Sequence, residues 1–430
     1  MKNGTTGAFH ELQEARAPSG VKARLSAMMF LEFFIWGAWF PLAAGYLSGL
    51  GFKPTEQAWI LNAFTVASFV AMFFSTQFAD RRFAAERFLS FSQLVGGAAI
   101  LALAWTTSFW PFFLLMLLHS LFYVPTISIT NSIAFAHLKD PQREFGPVRL
   151  WGTIGWIAAS VPFVFILANK TGSALTQAQS YIFVAAGTAS LILAAFSLVL
   201  PHTPPRPPEQ AAEKFAWLEA MRLLRFPFVM VLFIVTFFDA AIHQCYFFWA
   251  GRYFEKGVGI PGNWVMPVMG VGQVAEIATM AFLGYFLKRL GWRYTMTIGV
   301  LGHAARFLVF AFFPEPAVAV AVNMLHGICY AFFFATVYIF VDEFFPKDAR
   351  SSAQGLFNFL ILGAGPFVGN FAWAQLGTRY QIGSEEAWDF QHLFLVPAAV
   401  AVFAALLLLL FFHPPRTNRT ATEPEPIAAE

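Results

Sequence analysis

The sequence predicts an all-α membrane protein of twelve transmembrane helices, and three observations carry that reading. Of 430 residues, 58% are hydrophobic and only 12% are charged, whereas soluble globular domains run at roughly 25% charged. Too little polar surface remains to wet a soluble fold. The apolar residues come in long blocks, such as Leu25 to Leu47, Phe88 to Trp105 and Leu393 to Phe412, each near the roughly 20 residues that span hydrocarbon. Alternation with period two over about ten residues, the pattern of an outer-membrane barrel, is missing, so the backbone must satisfy itself in helices.

Apolar blocks set against polar breaks place spans near 25–48, 57–78, 88–107, 110–136, 149–168, 179–200, 226–250, 264–287, 294–313, 316–341, 353–376 and 390–412. Residues 1–24 are polar, and the first apolar block is longer than a signal-peptide core with no small-residue cleavage site after it, so the first span is expected to stay in the mature protein. Residues 201–225 open with Pro201 and run through Pro204, Pro205, Pro207 and Pro208 to Glu209 and Lys214. This longest polar interruption reads as a cytoplasmic linker between two six-helix halves, 25–200 and 226–412. The tail 413–430, rich in Thr, Pro and Glu, lacks apolar periodicity and reads as disordered.

The distribution of Lys and Arg predicts orientation. With both termini cytoplasmic, 21 of the 27 basic residues fall in cytoplasmic segments, against five on the other side (Lys53, Lys170, Arg252, Lys256 and Arg379) and Arg306 within a span. That split follows the positive-inside rule. The net charge of +3 comes with basic residues scattered at helix ends, which excludes a nucleic-acid groove. Cys245 and Cys329 both lie inside apolar spans, which excludes a disulfide scaffold and gives no metal spacing.

An internal repeat supports two halves. Leu118-His119-Ser120-Leu121-Phe122-Tyr123 recurs as Leu325-His326-Gly327-Ile328-Cys329-Tyr330, and Lys139-Asp140 recurs as Lys347-Asp348. Six spans separate the copies, so they share one orientation, and a parallel repeat places a substrate site between the halves.

Ionisable groups inside spans cost about 2.5 to 3.5 kcal/mol each on insertion scales, so each is a functional candidate. They are Glu32, Arg149, Asp239, Glu276 and Arg306, with His119, His243, His303 and His326. Arg149, Thr153 and Trp156 share one helical face by their spacing, as do Gln273 and Glu276. A cation, a hydroxyl and an aromatic plane suit a ribose and a base, while an amide and a carboxylate suit a base edge and ribose hydroxyls. The plainer readings are that Arg149 snorkels to the interface and that Glu276 belongs to a structural ion pair, with Arg306 as its partner.

Gly284 to Arg293, with Lys288-Arg289, Gly291 and Arg293, resembles the glycine-and-basic loop of the major facilitator superfamily, and Ala79-Asp80-Arg81-Arg82 resembles its first-half counterpart, with Thr76 in place of glycine. Trp36-Gly37-Ala38-Trp39, Tyr123-Val124-Pro125-Thr126 with Asn131, Arg149-Leu150-Trp151-Gly152-Thr153-Ile154-Gly155 and Ser352-Ala353-Gln354-Gly355 resemble the bacterial nucleoside:proton symporters over almost the whole chain. The resemblance implies substrate-binding roles for Arg149, Thr153, Trp156 (Phe in the family), Gln244, Phe247 (Asn in the family), Gln273, Glu276, His326 (Tyr in the family) and Tyr330 (Phe in the family). It also places Ala331 where the family has an aspartate implicated in proton coupling, which leaves Glu276, Glu32, Asp239 and His243 as candidate proton-coupling groups.

The expected function is therefore nucleoside import by a bacterial inner-membrane secondary carrier, monomeric in the bilayer, with protons as the coupled ion and no cofactor or metal. A carrier of sugars or other polar metabolites, an uncoupled nucleoside facilitator, and a transport-dead receptor stand as alternatives. A primary pump is disfavoured because no Gly-x-x-x-x-Gly-Lys-Ser/Thr loop is present. An intramembrane metalloenzyme is disfavoured because His-Glu-x-x-His is absent.

Overall fold

A computed structural model describes residues 20–74, 83–205, 221–345, 350–383 and 387–414. The Ala79-Asp80-Arg81-Arg82 motif, Lys347-Asp348, residues 206–220 of the predicted linker and the tail from 415 onward lie outside the described residues. Within them the chain is helical apart from one β-bridge between Gln381 and Trp388. Among the described residues, ten helices are long and apolar enough to cross a membrane.

In chain order the helices are α1 (Val21–Gly49), α2 (Pro54–Phe74), α3 (Ala85–Ala102), α4 (Phe109–His137), α5 (Pro141–Ala158), α6 (Val161–Ile166), α7 (Gly172–Gln179) and α8 (Tyr181–Ser197). They continue with α9 (Pro227–Arg252), α10 (Gly262–Phe312), α11 (Pro316–Val322), α12 (Leu325–Cys329), α13 (Thr336–Phe344), α14 (Arg350–Asn358), α15 (Gly365–Arg379) and α16 (Phe390–Phe411).

Local chemistry explains where these boundaries depart from the apolar blocks. α5 begins eight residues before the predicted span at 149 because Asp140 caps it, accepting from Arg143 N at 3.3 Å, with Pro141 at the first helical position. α10 holds both predicted spans 264–287 and 294–313, bent at Gly291 with φ 73 and ψ 176, a left-handed conformation that a side chain would resist. The predicted span 316–341 is divided among α11, α12, a π-helical turn Tyr330–Ala335 and α13. A second π turn, Phe359–Ala364, separates α14 from α15.

Glycine contacts set the close approaches that matter for function. A methyl group on Gly37 of α1 would lie 2.8 Å from the Trp156 Cα of α5, and one on Gly155 would strike the Phe30 backbone. On the other side, a methyl on Gly327 would strike the Ala275 and Glu276 backbone of α10, while one on Gly272 would lie 2.8 Å from His326 Cβ. Hence α5 lies flush on α1, and α12 on α10. Large apolar side chains such as Trp105, Trp110, Phe165 and Phe411 stay exposed on the outside, as lipid-facing surface requires.

Candidate substrate site

α5 presents Arg149 and Trp156 toward α1. The Arg149 guanidinium lies 3.8 Å from the centroid of the Phe33 ring, a cation–π contact. Trp156 meets Trp36 edge-on at 5.3 Å and Phe40 at 6.3 Å between ring centroids. Phe40 in turn lies 4.9 Å from Phe247 of α9, and Phe247 lies 5.8 Å from His326 of α12. An aromatic path thus joins α5, α1, α9 and α12.

From the His326 end the path becomes polar. Gln273 of α10 lies 3.0 Å from His326 Nε2, and Arg306 Nη1 lies 3.0 Å from His326 Nδ1. Glu276, one turn from Gln273, falls within the electrostatic field of Arg149, and Tyr330 feels both. Arg149, Thr153, Trp156, Phe247, Gln273, Glu276 and Tyr330 are all half-buried, while Gln244 and His326 are buried. Gln244 is engaged elsewhere: its amide donates to Asn370 Oδ1 at 3.0 Å, and Asn370 donates to Asn62 Oδ1 at 2.8 Å. Arg149, Trp156, Phe247, Gln273 and His326 are thus joined through ring and polar contacts, while Gln244 braces α9 against α15 and α2.

The candidate proton-coupling groups separate into three places. Glu276 is on that surface. Glu32 is fully buried behind it, where Thr126 Oγ1 lies 2.7 Å from one carboxyl oxygen and Gln93 Nε2 lies 2.9 Å from the other. Ser190 donates to Gln93 Oε1 at 2.6 Å and Tyr123 to the Glu32 backbone carbonyl at 2.6 Å. Asp239 and His243 belong to a buried cluster in which Asp239 Oδ2 lies 3.7 Å from His303 Nε2, His303 Nδ1 lies 3.0 Å from Arg306 Nη2, and His243 stacks on His326 at 5.1 Å. Arg306 is thus held by two histidines and by the Tyr246 ring at 4.2 Å. The Arg306 partner offered in the alternative reading of Glu276 is engaged by His303 and His326 instead.

Sequence reasoning overlooked Arg252. Buried at the end of α9, it donates to Ala44 O of α1 and to Gln57 Oε1 of α2, and its guanidinium lies 4.9 Å from the Trp249 ring centroid and 5.8 Å from that of Trp388. Asn263 adds a bond to Val164 O at 3.1 Å. The signal was a cation at the end of an apolar block followed by aromatics. A cavity of about 280 Å³ beside Arg252, lined by Ser48, Thr176, Glu255 and Trp388 among others, contains none of the nine predicted residues.

The sequence profile of the family described as Nucleoside H+ symporter matches residues 19–417. YegT of Escherichia coli (strain K12) is 32% identical over 416 residues, 93% of this chain and 95% of that protein. The xanthosine permease of Escherichia coli (strain K12) is 26% identical over 412 residues, 91% and 96% of the two chains. The crystal structure of the nucleoside transporter NupG superimposes with a TM-score of 0.80 at 24% identity, covering 92% of this chain and all of that one. A bacterial homologue of the human lysosomal transporter Spinster, in an inward-facing and unoccupied conformation, gives a TM-score of 0.72 at 14% identity over 93% and 98% of the two chains. With ten helices of membrane-crossing length and composition among its described residues, the chain belongs to the nucleoside:proton symporter family.

Proposed function

We propose that this protein imports nucleosides by proton symport, binding them on the surface formed by Arg149, Thr153, Trp156, Phe247, Gln273, Glu276, His326 and Tyr330. The observation that carries the reading is the convergence of a guanidinium, a carboxylate, an amide and stacked rings from α1, α5, α9, α10 and α12 inside the bundle. Trp156 and Phe247 offer faces for a base, and Arg149 and Glu276 suit ribose hydroxyls. Glu276 carries the proton in this account, because among the candidate carboxyl groups it is half-buried where substrate binds, whereas Glu32 and Asp239 are fully enclosed. Ala331 is itself buried and apolar, so the coupling group must lie elsewhere than at the family aspartate position.

The architecture that serves this function is twelve spans in two halves, 25–200 and 226–412. Counting α2 and the two arms of α10 beside the remaining membrane-length helices supports that reading. The basic-residue split supports a reading with both termini in the cytoplasm and the Lys53 and Arg252 end outside. In that orientation the Arg252 bonds to Ala44 and Gln57 tie α9, α1 and α2 together at the outer end. Trp156→Ala tests the site. It is expected to raise the half-saturation concentration for uridine about tenfold or more at unchanged expression, since base stacking on an aromatic ring is worth about 1–3 kcal/mol. Unchanged half-saturation would remove Trp156 from the site, and competition by free sugars would favour a sugar carrier.

A further inference from the structure

A guanidinium has donors and no acceptor. Arg306 Nη1 faces His326 Nδ1 at 3.0 Å, and Nη2 faces His303 Nδ1 at 3.0 Å. Both Nδ1 atoms must therefore be bare, which fixes both rings in the tautomer carrying hydrogen on Nε2. For His303 that hydrogen points toward Asp239 Oδ2, 3.7 Å away. For His326 it points at the Gln273 amide, whose Nε2 is placed 3.0 Å from it. Two donors cannot face each other. Because the nitrogen and oxygen of an amide are interchangeable in shape and are assigned from the bonding network, the Gln273 amide takes the opposite orientation, with Oε1 on His326 and its NH2 turned away.

We infer that the Arg306–His326 pair locks Gln273 as a donor-only contact, making it a specificity-determining residue that selects nucleosides with a carbonyl on the exocyclic position of the base edge over those with an amino group there. The inference rests on the proposed site and deepens it. A free glutamine would rotate to serve either kind of base. Here rotation would set its NH2 against the His326 N–H and leave Arg306 in place, because His326 is buried between His243 and Tyr246, 5.1 and 5.0 Å away between ring centroids. Uridine and inosine offer a carbonyl to the Gln273 NH2. Cytidine and adenosine bring a second donor against it, and a site built to bond one group discriminates strongly against a partner that leaves its polar atoms unmatched.

The test measures half-saturation for uridine, cytidine, inosine and adenosine in proteoliposomes of the full chain. Wild type is expected to favour uridine over cytidine, and inosine over adenosine, by about tenfold. His326→Asn retains an acceptor for Arg306 near the Nδ1 position but lacks the Nε2 donor, and both ratios are expected to fall toward one. Gln273→Glu, acceptor-only at the same place, provides a second variant in which the preference reverses. Equal half-saturation for all four in wild type, or an undiminished ratio in His326→Asn, overturns the locked amide. Gln273→Ala separates this from the underlying site. If it leaves all four nucleosides unaffected, Gln273 does not touch substrate and the site itself fails; if it weakens all four while wild type shows no preference, only the lock fails.

Discussion

Glu276→Gln is expected to abolish acid-driven accumulation of nucleoside while leaving exchange of labelled for unlabelled nucleoside across the membrane. The carboxyl group can gain and lose a proton as the site fills and empties, and the amide cannot. A symporter must reorient either loaded with both substrate and proton or emptied of both, and a fixed neutral group breaks that link. Hydrogen bonding to a ribose hydroxyl survives in the amide, so binding weakens by about the difference between a charged and a neutral hydrogen bond, on the order of 1 kcal/mol. The measurement is uridine accumulation against a pH gradient beside counterflow without one. Loss of both activities would make Glu276 a binding group alone. Retained accumulation would shift the coupling role to Glu32 or Asp239, with Glu32→Gln and Asp239→Asn the next variants to assay.

Arg252→Ala is expected to open the outer end. The guanidinium ties α9 to Ala44 of α1 and Gln57 of α2, and hydrogen bonds to a charged group contribute about 1.5–3 kcal/mol. Their loss shifts the balance between closed and open outer ends by roughly 10- to 100-fold. A Thr153→Cys reporter in the central site should be shielded from an impermeant thiol reagent in intact cells when Arg252 is present, and should react when it is replaced. Cys245 and Cys329 are buried and serve as a silent background. A Lys53→Cys reporter should react in both cases, since Lys53 is exposed at that end. Identical Thr153→Cys reactivity with and without Arg252 would show that the contact does not govern closure. An unreactive Lys53→Cys would reverse the orientation.

Much of this was legible in the sequence because it is local. The spans follow from runs of apolar residues, and Arg149, Thr153 and Trp156 share a face through helical periodicity alone, as do Gln273 and Glu276. The Asp140-Pro141 start of α5 was also readable, yet the apolar block concealed it, since a cap lies in polar sequence. Partners across the bundle were not legible. Arg252 bonds a carbonyl 208 residues away, and Asn370 bonds Asn62 across 308 positions. Nothing in the local pattern of either residue names the other. The alternative reading that paired Glu276 with Arg306 could not be judged from the sequence for the same reason. Arg306 turns to histidines three and twenty residues away. The Glu32 clamp by Gln93 and Thr126, with Ser190 bonded to Gln93, could have been suspected from polar residues inside apolar spans, although not their arrangement.

Proton-coupled nucleoside transport is tested most directly by purified protein in liposomes with an imposed pH gradient, acidic outside, following labelled uridine and internal pH together. The account predicts uridine accumulation above the external concentration, with internal acidification that begins only when nucleoside is added. Equilibration to the external concentration, indifferent to the gradient and without proton entry, would contradict it and leave an uncoupled facilitator.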